Sequence, residues 1–165
     1  MTTSENRIRK QLVELLRGGQ AHATFENVVK NFQPKLRGVV PLGLPYSAWQ
    51  ILEHIRIAQN DIVRFSMNHD GSYHSPKWPE GYWPASAAPA NTESWDHSVQ
   101  QVQEDRDKMI RLVNNPANDL LAPFPWGEGQ NLFREALLVA DHTSHHLGEL
   151  IVIRRLLAAW PSRPV

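Results

Sequence analysis

The sequence predicts an all-α fold, a four-helix bundle that forms one domain over residues 1–165, on three observations. Apolar residues recur three and four apart in four long stretches, segments dense in proline and glycine separate those stretches, and no run shows the alternation of a strand. A chain of 165 residues can bury one full core, and no shift of composition marks a second domain.

The first helix covers residues 4–17, where Ile8, Leu12, Leu15 and Leu16 hold helical spacing until Gly18 and Gly19 interrupt it. Phe25, Val28, Val29 and Phe32 resume the spacing, so residues 24–32 read as a continuation with the glycine pair as a kink. Three prolines and two glycines make residues 33–46 a connection. The second helix starts at Ser47, because Ser47 and Gln50 stand in the register in which each side chain satisfies the other's free amide. Its inward stripe is Ala48, Ile51, Leu52, Ile55, Ala58, Ile62 and Phe65, and it runs to about Asn68. Residues 69–91 form the longest irregular segment, and the aromatic side chains of Trp78, Tyr82 and Trp83 argue for an ordered flap rather than disorder. The third helix begins at Thr92 or Ser94, either of which can cap it. It carries Trp95, Val99, Val102, Met109 and Val113 on one face and ends at Asn114, Asn115 and Pro116. After a second loop, residues 117–130 with Trp126, the fourth helix runs from about Asn131 to Trp160, with Pro161 as its stop.

Composition removes several function classes. Lys and Arg together number 17, as do Asp and Glu, so no basic field exists to hold a nucleic-acid backbone. The absence of cysteine excludes disulfides, thiolate zinc sites and thiol nucleophiles, which leaves histidines and carboxylates as metal ligands. No stretch approaches the ~20 apolar residues of a membrane span, and the charged start lacks the apolar run of a signal peptide. The cytoplasm is the expected compartment.

The residues with the most chemical potential are His142, His145 and His146 on the fourth helix. A step of four residues turns a helix by only about 40°, so His142 and His146 project from one face, one turn apart. With His142 at zero, the apolar residues centre at roughly +90°. His146 falls at about +40° on the same wheel and His145 near −60°, which points His145 outward. A single histidine on an apolar face is more often a core-edge residue bonded to its neighbours than a ligand. A pair in one apolar stripe is different, since a shared divalent cation satisfies both acceptor nitrogens at once. His54, beside the apolar stripe of the second helix, can supply the third nitrogen, and three imidazoles leave coordination positions open. His22 is a candidate fourth ligand or substrate contact. Glu149 and Glu135 lie near His142 on the wheel, and Glu53 and Asp61 flank His54 on theirs. Glu149, Glu53 and Asp61 are the candidate acid or base residues, with surface ion pairs as the alternative reading.

Three stretches together resemble the DinB superfamily of bacterial metal-binding helical bundles: PYSAWQILEHIRIAQNDI at 45–62, KWPEGYWP at 77–84 and GEGQNLFREALLVADHTSHHLGELIVIRR at 127–155. The similarity spans nearly the whole chain. It implies a bundle of up-down-down-up order with one long crossover, and a divalent metal held by one histidine of the second helix and an H-x-x-x-H pair of the last. Those positions map onto His54, His142 and His146. Members often carry a tyrosine before the second motif histidine, where this chain has His145, so His145 either competes as a ligand or lines the pocket. Members include thiol-dependent S-transferases and isomerases that use low-molecular-weight thiols, while others are described as metal-dependent hydrolases or as stress-induced proteins. The resemblance thus implies a metal-dependent enzyme, a thiol S-transferase acting on a small electrophile, with Zn, Ni, Mn or Fe and a low-molecular-weight thiol as cosubstrate. A hydrolase using metal-bound hydroxide and a non-enzymatic stress or binding protein are the alternatives. The expected pocket is formed by His145, His22, Trp78, Tyr82, Trp83 and Trp126. Such proteins are often homodimers, and Phe133 and Ile151 give the fourth helix a second apolar face that a partner copy or a neighbouring helix would cover.

Overall fold

The computed structural model describes residues 3–160. These contain five α-helices and no strand: α1 (Thr3–Arg17), α2 (Phe25–Val29), α3 (Ala48–Ser66), α4 (Thr92–Asn114) and α5 (Leu132–Leu156). The four long ones form the bundle.

Local chemistry sets their boundaries. Ser47 Oγ accepts from the Gln50 amide at 3.2 Å while Gln50 Oε1 accepts from the Ser47 amide at 3.1 Å, which is the reciprocal cap expected for α3. Asn131 caps α5 by accepting from the Arg134 amide at 2.9 Å. At α4 the cap is Asn91, one residue before the expected Thr92, and it accepts from the Ser94 amide at 2.8 Å. Two boundaries differ from expectation. Gly18 and Gly19 adopt φ values of 70° and 82° and end α1 outright instead of kinking it. The chain then restarts as the short α2, for which Thr24 is the cap. α5 stops at Leu156 rather than Trp160, because Ala158 turns left-handed at φ 52° and the Arg154 guanidinium takes the Ala159 carbonyl. The stop expected at Pro161 lies outside the described residues.

Two apolar clusters fill the bundle along its length. One joins Leu12 and Leu16 of α1, Val63 of α3, Val113 of α4 and Leu132 of α5; the other joins Val28 of α2, Leu52 of α3, Trp95 of α4 and Leu150 of α5. The C-terminal halves of α3 and α4 therefore share an end with the N-terminal half of α5, so α3 and α4 are parallel and α5 opposes both. Arg9 of α1 donates to the carbonyls of Val113, Asn115 and Asn118, whereas Arg17 reaches the level of Val102 and Arg106, so α1 opposes α4. The order is up-down-down-up. The parallel step from α3 to α4 requires a crossover, and residues 67–91 make it along the outside of the bundle. Phe133 and Ile151 are half-buried against the two clusters, so this chain's own helices cover much of the second face of α5. No helix of the described residues is long and apolar enough to cross a membrane.

Candidate metal centre

The site forms where α3 and α5 face each other under the crossover. Antiparallel packing brings His54, near the middle of α3, opposite His142 and His146 of α5, and one ring nitrogen from each lies within 4.8 Å of the others. The Nε2 atoms of His54 and His142 are 3.1 Å apart. Two imidazole nitrogens on one tetrahedral zinc, each about 2.0–2.1 Å from it, sit about 3.3 Å apart, so the observed spacing fits a shared cation. Ring centroids of the three imidazoles are 4.4 to 4.9 Å apart and their planes are steeply inclined to one another, which aims edges rather than faces at a common point.

The outer nitrogens are held in place. His54 Nδ1 lies 2.9 Å from the Tyr82 carbonyl and His146 Nδ1 2.5 Å from Glu149 Oε2; these acceptors favour the proton on Nδ1 of each ring and so leave Nε2 as the atom to bind a cation. His54 and His146 are buried, at 4% and 8% exposure, and His142 is half-buried. Burial first, then the neighbouring imidazoles of His146 and His54, push the pKa of His142 down to about 3. His54 is likewise lowered, chiefly by burial. Three imidazole nitrogens gathered this closely are a donor set that a borderline divalent cation takes. Three protein ligands of this kind leave coordination positions open.

The crossover supplies the lid. Trp83 lies flat on His54, with ring centroids 4.0 Å apart and planes 2° apart, and Tyr46 stacks on the far face of Trp83, also at 4.0 Å. Tyr82 and Trp83 thus hold His54 by its edge and its face. Trp78 packs edge-on against Tyr82 but remains 69% exposed.

The carboxylates divide by role. Glu149 is the one beside the cluster; with His145 and His146 it forms a second group of close ligand atoms, and His145 Nε2 lies 3.9 Å from it. His145 is largely exposed, as the wheel indicates. Asp61 accepts hydrogen bonds from Tyr73 at 2.8 Å and Tyr82 at 2.6 Å, so it ties the crossover to α3. Glu53 reaches α4, where it accepts from Ser98, and it holds Arg56 of its own helix through both carboxylate oxygens at 2.8 Å. Glu135 is buried beside Arg134, its pKa raised by that burial.

Two expected pocket residues are placed elsewhere. Trp126 donates to the Phe65 carbonyl at the C-terminal end of α3 and stacks on Phe124. His22 accepts or donates at Ser144 Oγ, 3.0 Å away, on the α1 side of α5. Tyr46 is the contributor the sequence did not reveal, since it lies in an irregular stretch with no periodicity to flag it. A family model described as the DinB superfamily matches residues 19–150. No curated protein and no solved structure gives a match.

Proposed function

The chain belongs to the DinB superfamily, and from that premise we propose that it is a metal-dependent thiol S-transferase, with His54, His142 and His146 as the metal ligands and a small electrophile as substrate. The observation that carries the proposal is the set of inward Nε2 atoms on three rings, two of them fixed from behind by Tyr82 and Glu149. A divalent cation at that point supplies Lewis acidity, which lowers the pKa of a bound thiol or water. Glu149 stands next to the site and is engaged in orienting His146. Tyr82 and Trp83 orient His54 and cover one side of it, which limits water there.

The choice of a thiol over water rests on the carboxylates. Activating water asks for a large fall in pKa, from about 15.7, and commonly for a base beside it, whereas a thiol starts near 8.5. Glu53 and Asp61 are committed to Arg56, Ser98, Tyr73 and Tyr82, and Glu149 is already bonded to His146. A site with so little free base suits the more acidic nucleophile.

The test has two stages. Elemental analysis of the purified protein and of His54→Ala, His142→Ala and His146→Ala variants should show occupancy lost in each variant; full occupancy in all three would sink the ligand assignment. Metal-loaded and metal-free protein are then compared on a panel of low-molecular-weight thiols and electrophiles. Rates that depend on both metal and thiol support the transferase, metal-dependent hydrolysis without thiol supports a hydrolase, and equal rates support a binding protein.

A further inference from the structure

The outward side of the centre carries a second cluster of ligand atoms. Among the described residues two groups of three come within 4.8 Å of one another: the inner histidines, and His145, His146 and Glu149. His145 and Glu149 stand four residues apart on α5, so their side chains leave the helix in nearly the same direction, one turn apart. His145 is exposed and Glu149 partly so, which puts the pair within reach of an ion in solution.

The spacing of the pair suits a cation better than a direct contact. His145 Nε2 lies 3.9 Å from Glu149 Oε1, too far for a hydrogen bond. Two ligand atoms, each about 2.1 Å from one zinc, are about 3.4 Å apart at a tetrahedral angle and about 4.2 Å apart on a straight line, and the observed distance falls between. Glu149 can serve here without giving up its other contact: Oε2 meets His146 Nδ1 while Oε1 lies toward His145, and a carboxylate accepts at both oxygens. The His145 ring packs edge-on against His146, with centroids 4.9 Å apart, which keeps it on the Glu149 side of the helix. Room for the rest of a coordination shell lies alongside, since an opening of about 310 Å³ borders His145, Gly148 and Glu149. Gly148, without a Cβ, leaves the helix surface between the two ligands bare.

We propose that His145 and Glu149 bind a second divalent transition-metal ion, exchangeable and outside the three-histidine centre, with water completing its shell. His146 supports this ion through its hydrogen bond to Glu149 rather than as a third ligand, because its Nδ1 is already engaged. An imidazole and a carboxylate together take copper, nickel or zinc, whereas magnesium asks for oxygen ligands. Two protein ligands hold an ion less tightly than three, so this is the weaker site. It does not require that the inner histidines be filled.

Isothermal calorimetry of zinc into the chelator-treated full chain tests this. The wild type should take one tight ion and one weaker ion. His145→Ala should leave the tight ion and weaken the other by at least about tenfold, since losing a direct ligand costs no less than losing one of its supports. His54→Ala should do the reverse. Glu149→Gln, which keeps an oxygen for His146 but lacks the charge, should weaken both. Magnesium at millimolar concentration should not displace the weaker zinc. A weaker ion that His145→Ala or Glu149→Gln leaves in place belongs to other exposed histidines and overturns the inference. So does a wild-type titration that shows the tight ion alone, or displacement of the weaker ion by magnesium. A single ion that His145→Ala removes and His54→Ala keeps would uphold the outer site and sink the inner assignment.

Discussion

Asp61→Asn is the perturbation that asks whether the crossover positions the metal centre. Asp61 lies seven residues after His54, about 10 Å along the helix, and makes its hydrogen bonds to Tyr73 and Tyr82 at 2.8 and 2.6 Å. Tyr82 in turn supplies the carbonyl that orients His54, and Trp83 beside it covers the ring. A hydrogen bond to a charged acceptor is worth about 1.5–3 kcal/mol, and half-buried partners belong at the low end. An asparagine carbonyl can keep a weaker version of one bond, so the expected loss is about 2 kcal/mol, or roughly 4–8 °C in Tm for a chain of this size. The more specific consequence is at the metal. Loosening a group that orients a ligand imidazole costs about 10- to 100-fold in affinity, measurable by competition with a chromophoric chelator. Tyr73→Phe combined with Tyr82→Phe should reproduce both losses, and adding Asp61→Asn to that pair should cost little more, because all three changes remove the same bonds. An Asp61→Asn protein that is destabilised yet binds metal like the wild type refutes positioning by the crossover. Activity lost in Asp61→Asn but not in the tyrosine pair refutes it too, by making Asp61 an acid or base in its own right.

Other outcomes follow from the same geometry. In metal-free protein His142 has its pKa pushed down from 6.5 to about 3, so between those values the unfolded chain binds the extra proton and stability falls as pH drops. Urea unfolding of chelator-treated protein at neutral and mildly acidic pH should show that fall, and His142→Gln should flatten it. Burial first, then Asp61, raise Tyr82 to about 12, so its contribution is complete below 10 and is lost as pH rises through 12. Tyr73, on the same carboxylate, is raised as well, chiefly by burial, so ultraviolet titration should show two late tyrosines and Tyr82→Phe should remove one of them. Gly148 sits inside α5, where an added Cβ meets nothing within 4 Å. Gly148→Ala should therefore stabilise the protein by about 0.5–1 kcal/mol, seen as a rise of a few degrees in Tm.

The ligands and their supports were unequally legible in the sequence, for one physical reason. His142, His146 and His54 lie on helices, where period 3.6 converts sequence spacing into direction; the wheel angles set His142 and His146 at the border of the core and His145 outward, and in the structure His146 is buried, His142 half-buried and His145 exposed. The cap at Ser47 was legible for a related reason, since a cap is a contact between residues three apart. Asp61 was visible as a carboxylate on the right face of α3, but its partners Tyr73 and Tyr82 come from the crossover, where no period relates sequence position to direction. The same holds for Tyr46 against Trp83. The glycine pair illustrates a different gap: spacing on either side of Gly18 and Gly19 fits both a kinked helix and a broken one, and the sign of φ decides between them. Periodic elements therefore supply the three candidate metal ligands, while aperiodic ones supply the orientation of His54. Substitutions in residues 73–83 should accordingly alter how tightly the protein binds a metal, without moving the helices that carry its histidines.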